Sequence, residues 1–394
     1  MKKIGDQMST EQVVNQKNTI DSWQRIAAEL LSEAGIKING SRPFDIQVHN
    51  HQFFKRVLQQ GSLGLGESYM DGWWDCERLD IFFQHVLRHK LDKKIPHNFS
   101  DTLKIAVARV RNLQTLKRAR IVGEEHYDLG NDLFSLMLDP YMQYSCGYWK
   151  GLETVPENLP LAQEQKLNLI CEKLQLKPGM RLLDIGCGWG GLAAYAAKNY
   201  GVSVTGVTIS AEQQKYAQAH CAGLDVDIKL DDYRNLNDQF DRIVSVGMFE
   251  HVGPKNYATY FDVIQRNLKT NGLFLLHTIG SNQNKVNVDP WTNKYIFPNG
   301  CLPSVQNIGE TSEGKLVMED WHNFGADYDH TLMAWYSRFQ AAWPELEHNY
   351  TPRFKRMFSY YLNACAGAFR ARDIQLWQIL WSPQGVTGGL RVAR

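Results

Sequence analysis

The run Leu182-Leu183-Asp184-Ile185-Gly186-Cys187-Gly188-Trp189-Gly190-Gly191 places an acid and a cluster of glycines at the end of an apolar stretch. Residues of these types bind nucleotide-like ligands. Glycines let the backbone turn tightly and a ligand come close. A helix starting after Gly190 would aim its N-terminal N–H groups at the same spot. Gly186, Gly188 and Gly191 also satisfy a dinucleotide fingerprint, but a nicotinamide site wants an acid at the end of the next strand, about 20 residues on. That strand ends Val207-Thr208-Ile209-Ser210, without one. Asp184 before the glycines, and Asp231-Asp232-Tyr233 after the third strand, suit S-adenosylmethionine instead. The first aspartate can accept from the ligand's polar groups, and the third-strand end can hold adenine. A capping carboxylate on the loop is the competing role for Asp184.

Two further candidates, Glu250 and His277, follow the fourth and fifth strands and so belong at the rim of the same pocket. Either could be a general base; His251 reads as structural. Cys146 and Cys365 are possible nucleophiles. Tyr127, Tyr141, Tyr144, Tyr148, Trp149, Tyr295, Trp321 and Tyr328 crowd the same segments, and core packing is the better reading for most of them.

The elements that must position these groups are legible from Leu182 onward. RLLDIG, VSVTGVTI, VDIKLDD, DRIVSVG and GLFLLHTIG read as strands. GGLAAYAAKNY (stopped by Gly201), AEQQKYAQAHCA and NYATYFDVIQRNLK read as helices. This alternation predicts an α/β, parallel, doubly wound sheet. KLVMEDWHNF, two helices over 331–372 and IQLWQILWS supply the rest of the sheet and a cap. Upstream, residues 1–20 are polar and expected to be disordered. A helix is expected from Trp23 to Gly35, then a hairpin around Asn39-Gly40. Helices around 52–59 and 79–88 should flank the Gly-rich GSLGLGESYMDGWW. Together these form a small domain over 21–100.

The 394 residues are ordinary in composition, with 43% hydrophobic and 22% charged. No apolar run is long enough to span a bilayer, and MKKIGDQMSTEQ lacks the core of a secretory signal. Seven cysteines without CxxC spacing argue against a disulfide framework or a metal cluster and for a cytoplasmic setting. The net charge is +1, yet ten Lys/Arg face two acids between Arg88 and Arg120. Within that segment, Asp101–Arg120 reads as an amphipathic helix, with Leu103, Val107, Val110, Leu113 and Leu116 on one face. Lys104, Arg111 and Arg118 lie on another. Such a helix suits an anionic membrane surface; a linker helix packed on its own protein is the alternative.

Taken in order, LLDIGCGWGG, TISAEQ, EEHYDLGNDLF, MQYSCGYW, GMFEHVGPKNY, LLHTIG, YIFPNGCLPS and YYLNACAGAFRARDIQLWQ closely resemble the cyclopropane fatty acid synthase family. The resemblance runs from about Trp23 to Arg394. It implies a seven-stranded, doubly wound, Rossmann-like methyltransferase sheet over 121–394, preceded by a small α+β domain. It implies that Tyr144, Ser145, the loop Leu182–Gly190, Thr208, Ile209, Ser210, Gln213, Asp232 and Tyr233 line the S-adenosylmethionine pocket. Thr208, Ser210 or Gln213 would replace the missing acid at the ribose. It further implies a bicarbonate ion held by Cys146, Glu250, His277, Ile279 and Tyr328, with Cys365 matching a cysteine long named in the family's active site. The substrate implied is an unsaturated phospholipid at the inner face of the membrane, and the assembly implied is a homodimer. Rival outcomes are a methyl-branched or methylene product, a binding protein with a vestigial fold, or an RNA methyltransferase. The aromatic pocket does not suit the last, so no nucleic acid partner is expected.

Overall fold

A computed structural model describes residues 10–94, 130–284 and 289–394, with backbone alone over 10–21. The amphipathic segment 101–120 and Tyr127 lie outside the described residues.

The chain opens with α1 (Thr10–Glu33), β1 (Gln47–Val48), α2 (Gln52–Met70), β2 (Trp74–Asp75) and α3 (Leu79–Arg88). Three expectations need correction here. Residues 10–20 are helical, not disordered: TEQVVNQKNTI contains neither Gly nor Pro, so nothing stops the helix before Trp23. The Asn39-Gly40 hairpin does not form, and β1 pairs antiparallel with β2. The buried Asp45 carboxylate closes this stretch as a loop, accepting from the Lys37 N–H at 2.8 Å and from the Arg42 N–H at 3.0 Å. The Gly-rich stretch is the second half of α2, kinked at Gly61. At Gly66 a Cβ would lie 2.3 Å from the Trp291 indole, so the glycine is there for close approach.

Then come α4 (Asn131–Met137) and α5 (Leu159–Lys173), followed by the sheet. Its first half is β3 (Arg181–Ile185), α6 (Gly191–Tyr200), β4 (Ser203–Thr208), α7 (Ala211–His220), β5 (Val226–Leu230) and β6 (Phe240–Val246). Its second half is α8 (Tyr257–Asn267), β7 (Leu268–Ser281), α9 (Pro290–Tyr295), α10 (Val305–Ser312) and β8 (Val317–Asn323). The chain closes with α11 (Ala326–Leu346), α12 (Pro352–Arg370) and β9 (Ile374–Ser382). The strand order is β5-β4-β3-β6-β7-β9-β8. Five strands are parallel, but β9 runs antiparallel to both neighbours, so the sheet is mixed. The helix pair α11–α12 returns the chain to the rim from which β8 leaves, which allows β9 to enter from that end.

Because side chains alternate along a strand, Leu182 packs into one facial core and Leu183 into the other. Each fully buried leucine of this kind contributes about 1.5–3 kcal/mol. A third cluster joins α1–α3 to α11 and α12 in one continuous core. The seam is tight. A Cβ on Gly367 would lie 2.5 Å from Phe83, and Arg370 bridges Asp80 of α3 (2.6 Å) and Asp329 of α11 (2.7 Å).

Candidate active site

The glycine turn leaves β3 where the sheet's strand order reverses. Gly186 (φ 81°) and Gly188 (φ 54°) take left-handed backbone, and a Cβ on Gly188 would meet nothing within 4 Å. That opening is one wall of a cleft lined by Tyr144, Ser145, Asp184 through Trp189, Thr208, Ile209, Gln213, Asp232 and Tyr233. Thirteen of the seventeen residues expected to line the pocket therefore do so. Leu182 and Leu183 do not, because they are core. Gly190 does not either: a Cβ there would lie 3.0 Å from Ala217 under α7. Nor does Ser210, whose hydroxyl caps α7 by accepting from the Gln213 N–H.

Asp184 is 2% exposed. Burial pushes its carboxyl up to about 7, against the opposing pull of Lys166. Thr208 donates its hydroxyl to Gln213 Oε1 (2.9 Å), leaving the Gln213 amide N–H groups for a ligand. Asp232 is already engaged: Arg234 donates to it through Nη2 (2.7 Å) and Nε (2.8 Å). Sequence reasoning missed Met142, Gln143, Met248, Asn256, Pro298 and Asn299. All six lie inside the runs MQYSCGYW, GMFEHVGPKNY and YIFPNGCLPS, but none of these residue types by itself marks a ligand contact. His251, read as structural, also faces the cleft, and burial holds it neutral with its pKa down at about 4.

The segment 246–252 is a shared wall. Gly247 and Met248 line the cleft, and a short 3-10 turn, Phe249–His251, turns Glu250 away from it. Glu250 Oε1 accepts from the Ile279 N–H at 2.7 Å, while Oε2 is buried without a partner. Burial raises the Glu250 carboxyl to about 7, against the Ile279 N–H. His277 lies two residues before Ile279, on the same face of β7. Its Nδ1 is 3.2 Å from the side-chain amide of Gln378. Its Nε2 is also buried and unpartnered, and burial, then the Lys166 and Lys173 charges, keep the ring neutral. The Tyr328 hydroxyl is buried within electrostatic range of Cys146 and Glu250, and its ring lies 4.6 Å from Phe369. Cys146 is fully buried beside Thr331. The structure thus brings Glu250, Ile279, Tyr328 and Cys146 together, with His277 adjoining along β7. Cys365 is near Tyr328 and Tyr361, and burial pushes its thiol up to about 12.

Most of the other aromatics are core. Tyr148 packs on Phe324, Trp321 on Trp377 and Tyr141 on Tyr195, while Tyr295 donates to Glu67.

The sequence profile of the family described as mycolic acid cyclopropane synthetase matches residues 114–379. A cyclopropane-fatty-acyl-phospholipid synthase of Escherichia coli (strain K12) is 73% identical over 374 residues, covering 95% of this chain and 97% of that relative. The chain belongs to the cyclopropane fatty acid synthase family of S-adenosylmethionine-dependent methyltransferases. A tuberculostearic acid methyltransferase of Mycobacterium tuberculosis is 32% identical, covering 82% and 79%. The solved cyclopropane synthase MmaA2 of Mycobacterium tuberculosis superposes with a TM-score of 0.62 at 30% identity, over 66% of this chain and 97% of that one. A coclaurine N-methyltransferase with SAH bound shares the fold (TM-score 0.65, 21% identity, 81% and 98% covered). Among the described residues no helix is long and apolar enough to cross a membrane.

Proposed function

We propose that this family member transfers a methylene group from S-adenosylmethionine to the cis double bond of an unsaturated acyl chain in a membrane phospholipid, forming a cyclopropane ring. One observation carries the reading: two buried, unpartnered polar atoms, Glu250 Oε2 and His277 Nε2, adjoin the turn that walls the methyl-donor cleft. The 73% identical relative named for this activity supports it.

The alkene π pair takes the methyl carbon, the S–C pair stays on sulfur, and positive charge appears on the neighbouring carbon. Loss of a proton from the new methyl group then lets the C–H pair close the ring. A wall for this reaction must exclude water, tolerate a cation and stand next to a proton acceptor. Tyr328 and Phe369 offer ring faces, each contributing about 0.5–2 kcal/mol to a nearby cation. A small anion with its own hydroxyl needs both an acceptor and donors. Glu250 Oε2, His277 Nε2 and the Tyr328 hydroxyl carry the polar atoms for that set, which supports bicarbonate as the ion. Bound there, bicarbonate would supply the proton acceptor. Glu250 and His277 would orient it, with the Ile279 N–H fixing Glu250 and Cys146 closing the wall.

Residues 21–100 are proposed to engage lipid, 101–120 to rest on the anionic inner face of the membrane, and two copies to pair in the cytoplasm. Radiolabelled S-adenosylmethionine and unsaturated phospholipid vesicles test the reading: mass spectrometry should show one CH2 gained with the unsaturation count unchanged, and proton NMR of the product should show cyclopropane ring protons in place of vinylic ones. A methyl-branched or methylene product overturns it. Joint Lys104→Glu, Arg111→Glu and Arg118→Glu substitution should release the protein from anionic vesicles in co-sedimentation while S-adenosylmethionine affinity stays.

A further inference from the structure

Lys166 of α5 is 0% exposed, although the sequence places it where a surface lysine would be expected. Its Nζ donates to Ser145 Oγ at 2.9 Å and to Gln143 Oε1. Both acceptors line the methyl-donor cleft. The Gln143 amide continues the chain of bonds by donating to the Tyr141 carbonyl at 3.0 Å, and a Cβ on Gly191 would lie 1.9 Å from that same oxygen. One buried cation therefore ties the 141–145 wall to the start of the glycine-turn helix. The charged and titratable groups facing Lys166 are Asp139, Cys146 and Asp184, and its charge also reaches His277. Around Asp184 stand Lys166 and the thiols of Cys171, Cys187 and Cys221, all held neutral by burial. Among the described residues Lys166 is thus the one cation acting on Asp184, whose carboxylate opens on the cleft.

We propose that Lys166 is a positioning residue beneath the methyl-donor site, holding Ser145 and Gln143 in place and keeping Asp184 ionised to accept from the donor's polar N–H or O–H groups. The inference rests on the cleft being the S-adenosylmethionine site. Burial lowers Lys166 to about 8 and raises Asp184 to about 7. A ligand that donates to Asp184 favours its ionised form, so affinity should climb as pH rises through about 7. Below that, binding should expel a proton.

S-adenosylhomocysteine titrated calorimetrically into the full chain, in buffers of different ionisation enthalpy, reads both effects without any variant. Proton release on the acid side is expected; none at any pH overturns the inference. In Lys166→Met the pull on Asp184 is gone, so the limb should move up by about one pH unit. That is about fivefold weaker binding at pH 7 and ~tenfold weaker well below it, recovering in alkali. A pH-independent loss on top of this reports the missing Ser145 and Gln143 bonds; a limb that does not move overturns the inference. Asp184→Asn should abolish the limb; a limb that persists also overturns it. A wild-type chain that binds no S-adenosylhomocysteine sinks the donor-site reading itself, a result distinct from binding without proton release.

Discussion

The cleft beside the glycine turn and the buried cluster around Glu250 share a wall but are built in opposite ways. The cleft is built mainly from turns at successive strand ends, completed by the 142–145 segment and by Pro298 and Asn299, and several of its side chains have partners: Thr208 with Gln213, Asp232 with Arg234, Ser145 with Lys166. The cluster gathers residues from the 146 segment, the turn after β6, β7 and α11, and leaves polar atoms buried without partners. Burying such atoms costs about 1–3 kcal/mol each. On the proposed reading the cleft only binds, so its groups can be satisfied in advance, whereas the cluster reacts and keeps its unsatisfied atoms for what enters.

The sharpest way to break that contrast is Glu250→Gln, which keeps shape and removes the acceptor. Turnover should fall about 10²–10⁴-fold while S-adenosylhomocysteine affinity, read by calorimetry, stays within about twofold. A parallel loss of affinity would show that the two regions are one site. Arg370→Met removes the cation from Asp329 and one of two from Asp80, which keeps Arg78; both carboxylate side chains are at most 11% exposed. Unfolding stability should drop by ~1–3 kcal/mol, visible as a lower urea midpoint; an unchanged midpoint means that α3 and α11 do not depend on this bridge.

Glu67, remote from both regions, is the control. Burial would raise its carboxyl, but bonds from Lys294, Arg56 and Tyr295 outweigh it and bring the pKa down to about 2. A folded value below the ordinary 4.5 means stability that is present above about pH 4.5 and lost as pH falls towards 2. Its size is at most ~3 kcal/mol. Glu67→Gln should therefore cost stability at pH 7 and progressively less towards pH 2, by urea titration at each pH. A constant difference contradicts the ion-pair account. The smallest effect is expected for Cys365→Ser, with turnover within about tenfold of wild type. Near-complete loss would make the cysteine part of the chemistry.

Much of this was legible in the sequence because it is local. The glycine turn, the strands around it and Glu250 just past a strand end follow from patterns of a few residues, whereas His277, expected after the fifth strand, lies inside β7, paired with Val246 and Gln378. What escaped is decided at longer range. Nothing in LPLAQEQKLNLICEK marks Lys166 and Lys173 as buried, since their partners Ser145 and Asp320 come from distant segments. Gly66 reads as a breaker until Trp291, some two hundred residues later in the chain, is seen against it. The reversed direction of β9 depends on where α11 and α12 return the chain, which no strand pattern encodes.

That reversed strand also imposes an order of assembly. β9 lies between β7 and β8, and its Gln378 is the residue that fixes the His277 ring. During synthesis the donor half of the sheet can be complete while His277 still waits for a neighbour made more than ninety residues later. A nascent chain would thus acquire its ligand-binding face first and its chemistry last, with β7 an open edge in between.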